Sequence, residues 1–426
     1  MPAGKHIAFA TFGSLGDVHP FFALGRVLQA RGHRVTIATS EYHRGKIEAE
    51  GFNFHPVRPD IADFGGPAGL FRAFSDGPGG AVGVLRRDIL PRLRETCDDL
   101  LAVARQADFL GAHPIYYPAP LVAEKLGLPW AGMLLQPMAM FSAHDPAIIP
   151  QVPGLHRLPP FALRAFVKLS QLGLQPLVRP IHDLRRALGL PPTGRHPMFG
   201  GQYSPDLNLA LFSPLFAPPQ PDWPAGTIAT GFPFFDDGLS SSEHLPEELA
   251  AFLDHGPPPV VFTLGSTAVD LSVQFYLDSY TACHELGCRA VFLAGREALQ
   301  RLPATLPASM LALPYAPHGA LFPRATAIVH SGGIGTTAQA LRSGRPQLVV
   351  PFGFDQPDNA ARAQRLGVAR VIPSHHYNRE RAIKLLRELL SNQTLSQNAG
   401  ELGRRIRSEN GAGQAADAIE KLLAGP

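Results

Sequence analysis

The sequence predicts an α/β protein of two doubly wound, Rossmann-like domains with a ligand cleft between them. Three observations predict it. At 426 residues the chain exceeds what one ordinary core supports. Short apolar runs alternate with helical patterns in two separate series. A proline-rich stretch, PLFAPPQPDWPAG at 214–226, divides the two series; proline stiffens a linker and is excluded from central strands.

The first series opens with HIAFATFGSLGDVHPFFALGRVLQARGHRVTIATS, a strand–helix–strand unit. Ile7–Thr11 is a short apolar run, and Pro20 suits the first turn of a helix. Phe21, Leu24, Val27 and Leu28 recur at helical spacing, Gly32 closes the helix, and Val35–Thr39 is the next strand. Residues 108–113, 119–127 and 129–138 continue the alternation. From about 141 to 200 the rhythm breaks, and FALRAFVKLSQLGLQPLVRPIHDLRRALGL reads as one or two apolar-faced helices. Residues 206–213 read as the last strand of the first domain. The second series places strands at 259–266, 289–295, 310–316, 326–331, 346–352 and 369–373, with helices in the gaps and two more in the last fifty residues. The expected division is 1–216 for the first domain, 217–257 for the linker and approach, 258–408 for the second domain, and 409–426 for a C-terminal helix. In such sheets ligands sit beyond the carboxyl ends of the strands.

Composition excludes several classes. A hydrophobic fraction of 45% with mean hydropathy near zero describes a globular chain rather than a disordered one. Net charge is only +3, without a long basic run, so no nucleic-acid partner is expected. No run of 18 or more apolar residues offers a membrane span. Cys97, Cys283 and Cys288 fit neither a zinc site nor a disulfide framework, and no signal-peptide pattern is evident. A cytoplasmic protein is expected. The doublets Asp98-Asp99 and Asp236-Asp237 lack the spacing of a DxD metal motif, so no metal is expected.

The densest motif is HSGGIGTTAQALRSGRPQLVVPFGFDQPDN, residues 330–359. His330 ends a strand, and Gly332, Gly333 and Gly335 lead into a helix. Glycines there let backbone N–H groups approach a ligand, and the helix N-terminus favours negative charge, as a phosphate site requires. His330 at that corner can donate a hydrogen bond or carry charge against a diphosphate. Neither GxGxxG after a first strand nor a Walker loop is present. Asp355 and Gln356 follow the next strand and offer acceptors and donors to sugar hydroxyls. Ser266, in Gly265-Ser266-Thr267, is a further hydroxyl at a strand end, and Tyr315 is placed to stack on a base. Singly, each of these also suits a structural role; in order along one rim they read as a nucleotide-sugar site.

Residues 315–359 resemble the donor signature of the GT-B glycosyltransferases of family 1, through Tyr-Ala-Pro, His-x-Gly-Gly-x-Gly-Thr, Gly-x-Pro-Gln and Asp-Gln-x-x-Asn. The likeness extends more weakly across the chain. FAPPQPDWP followed by TGFPFFD is most similar to the rhamnolipid mono-rhamnosyltransferase branch, with sterol- and macrolide-type glucosyltransferases next. The resemblance implies a GT-B fold with the acceptor on the first domain and the donor on the second. It assigns His330, Gly332, Gly333, Gly335 and Thr336 to the diphosphate, Asp355 and Gln356 to the sugar, and Tyr315 to the base. Where plant members carry a ribose-binding glutamate, eight residues after the histidine, this chain has Ala338. That departure suits a dTDP sugar such as dTDP-rhamnose, yet sterol-type enzymes share a small residue there and use UDP-glucose.

The resemblance also implies inverting, metal-independent transfer with no cofactor, the nucleotide sugar being a co-substrate. One side of the site then needs a base and the other needs charge stabilisation. The base is sought in GSLGDVHP, where many members have a histidine three residues before the loop proline and this chain has Asp17. Asp17 also fits a helix-capping role. His19 is the rival base, with a better-matched pKa. His113 stands sixteen residues before Pro129, where plant members have the aspartate that orients their histidine, and a His113–Asp17 pair would reverse that order.

Apolar segments at 64–74, 115–120, 134–141 and 160–190 favour a lipophilic hydroxylated acceptor. Peripheral membrane contact is compatible with such an acceptor, although no strong basic amphipathic helix is evident. Two other readings are a nucleotide-sugar epimerase on the same fold and a non-catalytic accessory protein. An epimerase needs no acceptor pocket, and an accessory protein would be expected to lose His330, Asp355 or Gln356.

Overall fold

A computed structural model describes residues 4–75, 80–149, 151–236, 245–265 and 273–425. Contacts divide the chain into two units, Met1–Phe234 with Asn410–Pro426, and Phe235–Glu409. Each is a parallel α/β unit.

In the first unit the strands are β1 (His6–Ala10), β2 (Arg34–Thr39), β3 (Asn53–Pro56), β4 (Phe109–Ala112), β5 (Trp130–Leu134), β6 (Leu207–Ala210) and β7 (Thr227–Ala229). Their order is β3-β2-β1-β4-β5-β6-β7, all pairs parallel. Sequence order reverses at β1, where Ala10 pairs with Ala38 on one side and Ala112 on the other. Strands β1, β4 and β5 are wholly buried, as expected for apolar runs covered on both faces. Strand β3, Asn-Phe-His-Pro, alternates polar and apolar residues at the sheet edge, and β7 is shorter still and half-exposed. Both escape a search for apolar runs, and β7 lies inside the stretch read as linker.

Helix α1 runs from Leu15 to Ala30, five residues earlier than a Pro20 start would place it. Ser14 caps it, and Pro20 sits inside the second turn. The segment after β5 holds one long helix, Pro160–Ala187, with Pro176 and Pro180 inside it. Its buried face carries Leu163, Leu177, Val178, Ile181 and Leu184.

The second unit contains β8 (Val260–Thr263), β9 (Ala290–Leu293), β10 (Met310–Leu313), β11 (Ala327–His330), β12 (Gln347–Val349) and β13 (Ala369–Val371). The order is β10-β9-β8-β11-β12-β13, parallel throughout. Here the reversal falls between β8 and β11, where His330 pairs with Thr263. The expected strands are all present but end one to three residues early, where the chain turns away from the sheet.

Three helices, not two, occupy the C-terminal region: Arg379–Ser391, Gln393–Arg407 and Gly411–Ala424. The last joins the first unit. Arg31 reaches Asp417 at 2.7 Å and Glu420 at 2.6 Å, and His33 Nε2 meets Glu420 Oε1 at 2.9 Å. A Cβ on Gly411 would come within 2.6 Å of the Gly231 and Phe232 carbonyl oxygens, so this crossing admits only glycine.

Candidate active site

In the first unit, the chain leaving β1 is held from every side. The Thr11 N–H donates to the Ala38 carbonyl (3.1 Å), and its hydroxyl donates to the Asp17 carbonyl (2.8 Å). The buried Tyr116 hydroxyl donates to the Thr11 carbonyl (3.1 Å). His43, 3% exposed, donates from Nε2 to the Gly13 carbonyl (2.9 Å), and burial keeps it below the usual imidazole range. The sequence carries no sign of these two supports, because each comes from a different strand end.

Asp17 closes a capping box with Ser14. Its Oδ2 accepts from the Ser14 N–H (2.8 Å) and the Ser14 hydroxyl (3.2 Å). Gly13 has φ of 134°, and a Cβ there would stand 2.2 Å from Asp17 Oδ2, so only glycine lets the loop close on the carboxylate. Burial raises the Asp17 pKa to about 6, against the lowering effect of the two Ser14 bonds. Capping uses Oδ2 alone, and Oδ1 takes no hydrogen bond among the described residues. Asp17 is therefore a cap that retains one basic oxygen.

His113 follows β4, with its N–H on the Ala10 carbonyl (2.8 Å). The Ile115 N–H approaches its Nδ1 at 3.4 Å, and burial lowers its pKa to about 4. No hydrogen bond or ion pair joins it to Asp17 among the described residues, so the reversed pair is not formed. A histidine of that pKa binds a proton poorly near neutrality. His19 lies half-buried on α1, its ring 6.0 Å from that of Phe22.

In the second unit a glycine-lined corner follows β11 and opens a helix. Gly333 is the N-cap of the helix Ile334–Ser343, with no side chain capping it. Gly333, Gly335 and Thr336 are half-exposed, and among the described residues no side chain caps the N–H groups of that first turn. Gly332 has φ of 94°, and a Cβ on it would meet Val349 Cγ1 at 2.8 Å and the Gln356 carbonyl at 3.1 Å.

His330 is wholly buried. Its Nδ1 accepts from the Gly332 N–H (3.1 Å), which leaves the proton on Nε2 to donate to Gln347 Oε1 (2.9 Å). Burial pushes its pKa down to about 4. A charged histidine facing a diphosphate is therefore not what the structure shows: the neutral ring bonds inward and holds the Gly332 backbone in its left-handed turn. The sequence hides this because the partner, Gln347, lies seventeen residues on, at the start of the adjacent parallel strand.

Asp355 and Gln356 start the helix Gln356–Arg365. Phe354 before them has φ of 57°, a conformation costing a side-chain-bearing residue about 1 kcal/mol or more. Gln356 Oε1 accepts from the Phe352 N–H (2.8 Å) and the Gly353 N–H (3.2 Å), leaving its NH2 for other work. Asn359, the last residue of the motif, donates from Nδ2 to Asp355 Oδ2 (2.6 Å) and to the Gly332 carbonyl (2.9 Å), tying the two corners together. The β8 end joins them: the Ser331 hydroxyl donates to the Leu264 carbonyl (2.9 Å), and Gly265, with φ of 71°, abuts Thr336. Ser266 lies outside the described residues. Tyr315, just past β10, is 53% exposed, as a stacking platform requires. Among the described residues no three His, Cys, Asp or Glu side chains group as metal ligands would.

Two parallel α/β units, each with its strand order reversing inside the sheet, are the architecture of the GT-B class. The comparisons agree. Residues 7–130 match the Glycosyltransferase family 28 N-terminal domain, and residues 291–422 match the Erythromycin biosynthesis protein CIII-like C-terminal domain. The chain is 30% identical to O-mycaminosyltylonolide 6-deoxyallosyltransferase of Streptomyces fradiae, over 97% of both chains. It is 29% identical to the sterol 3-beta-glucosyltransferase of Yarrowia lipolytica over 97% of this chain, which spans 28% of that longer protein. The crystal structure of glycosyltransferase VinC in complex with dTDP superposes with a TM-score of 0.70 at 20% identity, covering 99% of this chain and 100% of that one. The chain belongs to the GT-B glycosyltransferases, with a family 28 N-terminal domain and an erythromycin CIII-like C-terminal domain. These relatives are transferases, and nothing among them favours the epimerase reading.

Two outcomes follow for the second unit. Gly332→Ala forces a strained backbone and two close contacts, so thermal melting should show a loss of roughly 2 kcal/mol or more, with weakened nucleotide binding. His330 should stay neutral: its NMR ring signals should not titrate between pH 5.5 and 8, and affinity for a nucleotide sugar should stay flat over that range, where roughly one unit of change would mark an ordinary imidazole.

Proposed function

We propose that this enzyme transfers a 6-deoxyhexose from its dTDP-activated form to a hydroxyl of a lipophilic acceptor, inverting the anomeric carbon and using no metal. One observation carries the donor half of this reading, the uncapped helix start at Gly333 beside the Asp355–Gln356 pair. A 6-deoxy sugar is supported by the Streptomyces relative, named a 6-deoxyallosyltransferase, and Ala338, which offers no acceptor to a ribose 2′-hydroxyl, leaves room for a dTDP carrier. A UDP-glucose donor is the second reading, favoured by the sterol glucosyltransferase relatives.

In this mechanism the acceptor hydroxyl gives its proton to Asp17 Oδ1 as its oxygen bonds to the anomeric carbon. The bond from that carbon to the diphosphate breaks on the opposite face. The departing negative charge falls on the N–H groups of Gly333 and the turn after it, aided by the helix dipole, which does the work a metal would otherwise do. Asp355 accepts from one sugar hydroxyl and the Gln356 NH2 donates to another. His330 touches no reacting atom and acts by holding Gly332. A carboxylate with a pKa near 6 is a better base than an ordinary aspartate and is still ionised at neutral pH.

Asp17→Asn should leave nucleotide binding intact while transfer falls about 100-fold or more. In the unaltered enzyme kcat/KM should fall as pH drops through about 6, since the base must be ionised. Transfer that survives in Asp17→Asn would move the base to His19. The donor is tested by calorimetric titration with UDP, dTDP and GDP, then UDP-glucose and dTDP-rhamnose. Tighter binding of the dTDP compounds is expected; preference for the UDP compounds would install the second reading, and binding of none would remove the phosphate site.

A further inference from the structure

The long helix Pro160–Ala187 is apolar on two sides. One side, through Leu163, Leu177, Val178, Ile181 and Leu184, is buried in the first unit. On the other, Phe161 is 74% exposed, Leu169 67% and Leu172 69%. At about 100° per residue these three and Ala165 share one arc of roughly 80°, so they form a continuous stripe and not scattered apolar residues. Burying the first face already secures the fold, and large apolar side chains aligned this way are costly to leave in water.

The charges beside the stripe indicate what covers it. Arg164 and Lys168 line one edge, Arg179 extends it, and Arg157 stands just before the helix; all four are exposed. Arg157, Lys168 and Arg179 make no ion pair among the described residues, and Arg164 meets only His144 Nε2, at 2.8 Å. Between Gln151 and Ala187 the one carboxylate is Asp183, which Arg186 holds. A second protein would be expected to offer mixed charges and to find some carboxylates to answer. An apolar stripe whose unpaired neighbouring charges are all cationic, Asp183 being held by Arg186, complements one surface best, an apolar layer beneath anionic headgroups.

We propose that this face docks on an anionic phospholipid membrane, with Phe161, Leu169 and Leu172 entering the acyl boundary and Arg157, Arg164, Lys168 and Arg179 reaching the headgroups. No helix among the described residues is long and apolar enough to cross a membrane, so the contact is peripheral. The inference rests on this helix alone and is independent of which donor or acceptor the enzyme uses.

The test is co-sedimentation of the full chain with vesicles of phosphatidylcholine alone and of phosphatidylcholine with phosphatidylglycerol. Binding to the anionic vesicles, weakened by salt, is expected. Phe161→Ser with Leu169→Ser and Leu172→Ser should lower it about tenfold or more, and Arg164→Glu with Lys168→Glu should remove the preference for anionic lipid. Unchanged circular dichroism and thermal melting show that each variant is folded. Leu172→Trp gives an independent reading, a blue shift of emission beyond that of the unaltered enzyme when anionic vesicles are added. The proposal is overturned if the anionic vesicles bind no protein, if the serine variant binds like the original, or if Leu172→Trp emission does not move. It is equally overturned if sedimentation velocity shows a dimer that the serine substitutions dissolve while vesicles are ignored, for then a second copy covers the face.

Discussion

Parallel strand pairing is the constraint from which the rest of each unit follows. When neighbouring strands run the same way, the chain must leave every strand at one edge and cross back to the other, here through a helix at every crossover but the one from β6 to β7. The N-terminus of each crossover helix, and the loop that leads from strand to helix, then gather at the carboxyl edge. In the first unit that edge carries Ser14, Asp17 and His113; in the second it carries Gly265, His330, Gly332 and Asp355. None of these residues is placed by its own preferences. Each stands where two strands diverge and leave room above the sheet, at β1 in one unit and between β8 and β11 in the other.

That edge is also where local stability is given up. Folding raises the pKa of Asp17 above its ordinary value, so the protonated form is the one the fold prefers. The stability associated with it is complete below about pH 4, the unfolded value, and is lost as pH rises through about 6. Near neutrality the carboxylate is ionised against that preference, and two bonds from Ser14, a glycine at φ 134° and His43 beneath the loop keep it in place. Phe354 at φ 57° repeats the pattern in the second unit, where a strained backbone aims Asp355. Both devices spend stability on the orientation of a carboxylate.

Much of this was legible in the sequence. Buried parallel strands are short apolar runs, and thus β1, β4, β5 and the six strands of the second unit stand out. Strands β3 and β7 do not, because edge strands expose one side and lose the apolar signature. Gly332 was legible because only glycine serves there, at φ of 94° against Val349 and the Gln356 carbonyl. The role of His330 was not: charge and hydrogen-bonding capacity are properties of the residue type, but burial and a partner on the next strand decide which is used, and here they leave a neutral ring facing inward. The same reason separates Asp17 from His113. Adjacent strand ends brought them to one edge, yet proximity of backbone does not make two side chains meet.

The long helix shows the reverse limit. Its sequence reads as apolar-faced, with several more apolar residues than one buried face uses. Periodicity reports that one side differs from the other, but it does not say which apolar side chains pack inside and which stay in water. Only packing separates them, by burying Leu163 and Ile181 while leaving Phe161, Leu169 and Leu172 outside. Once the inner stripe is assigned to the core, the outer one needs an explanation of its own, and its cationic edge supplies the direction in which to look.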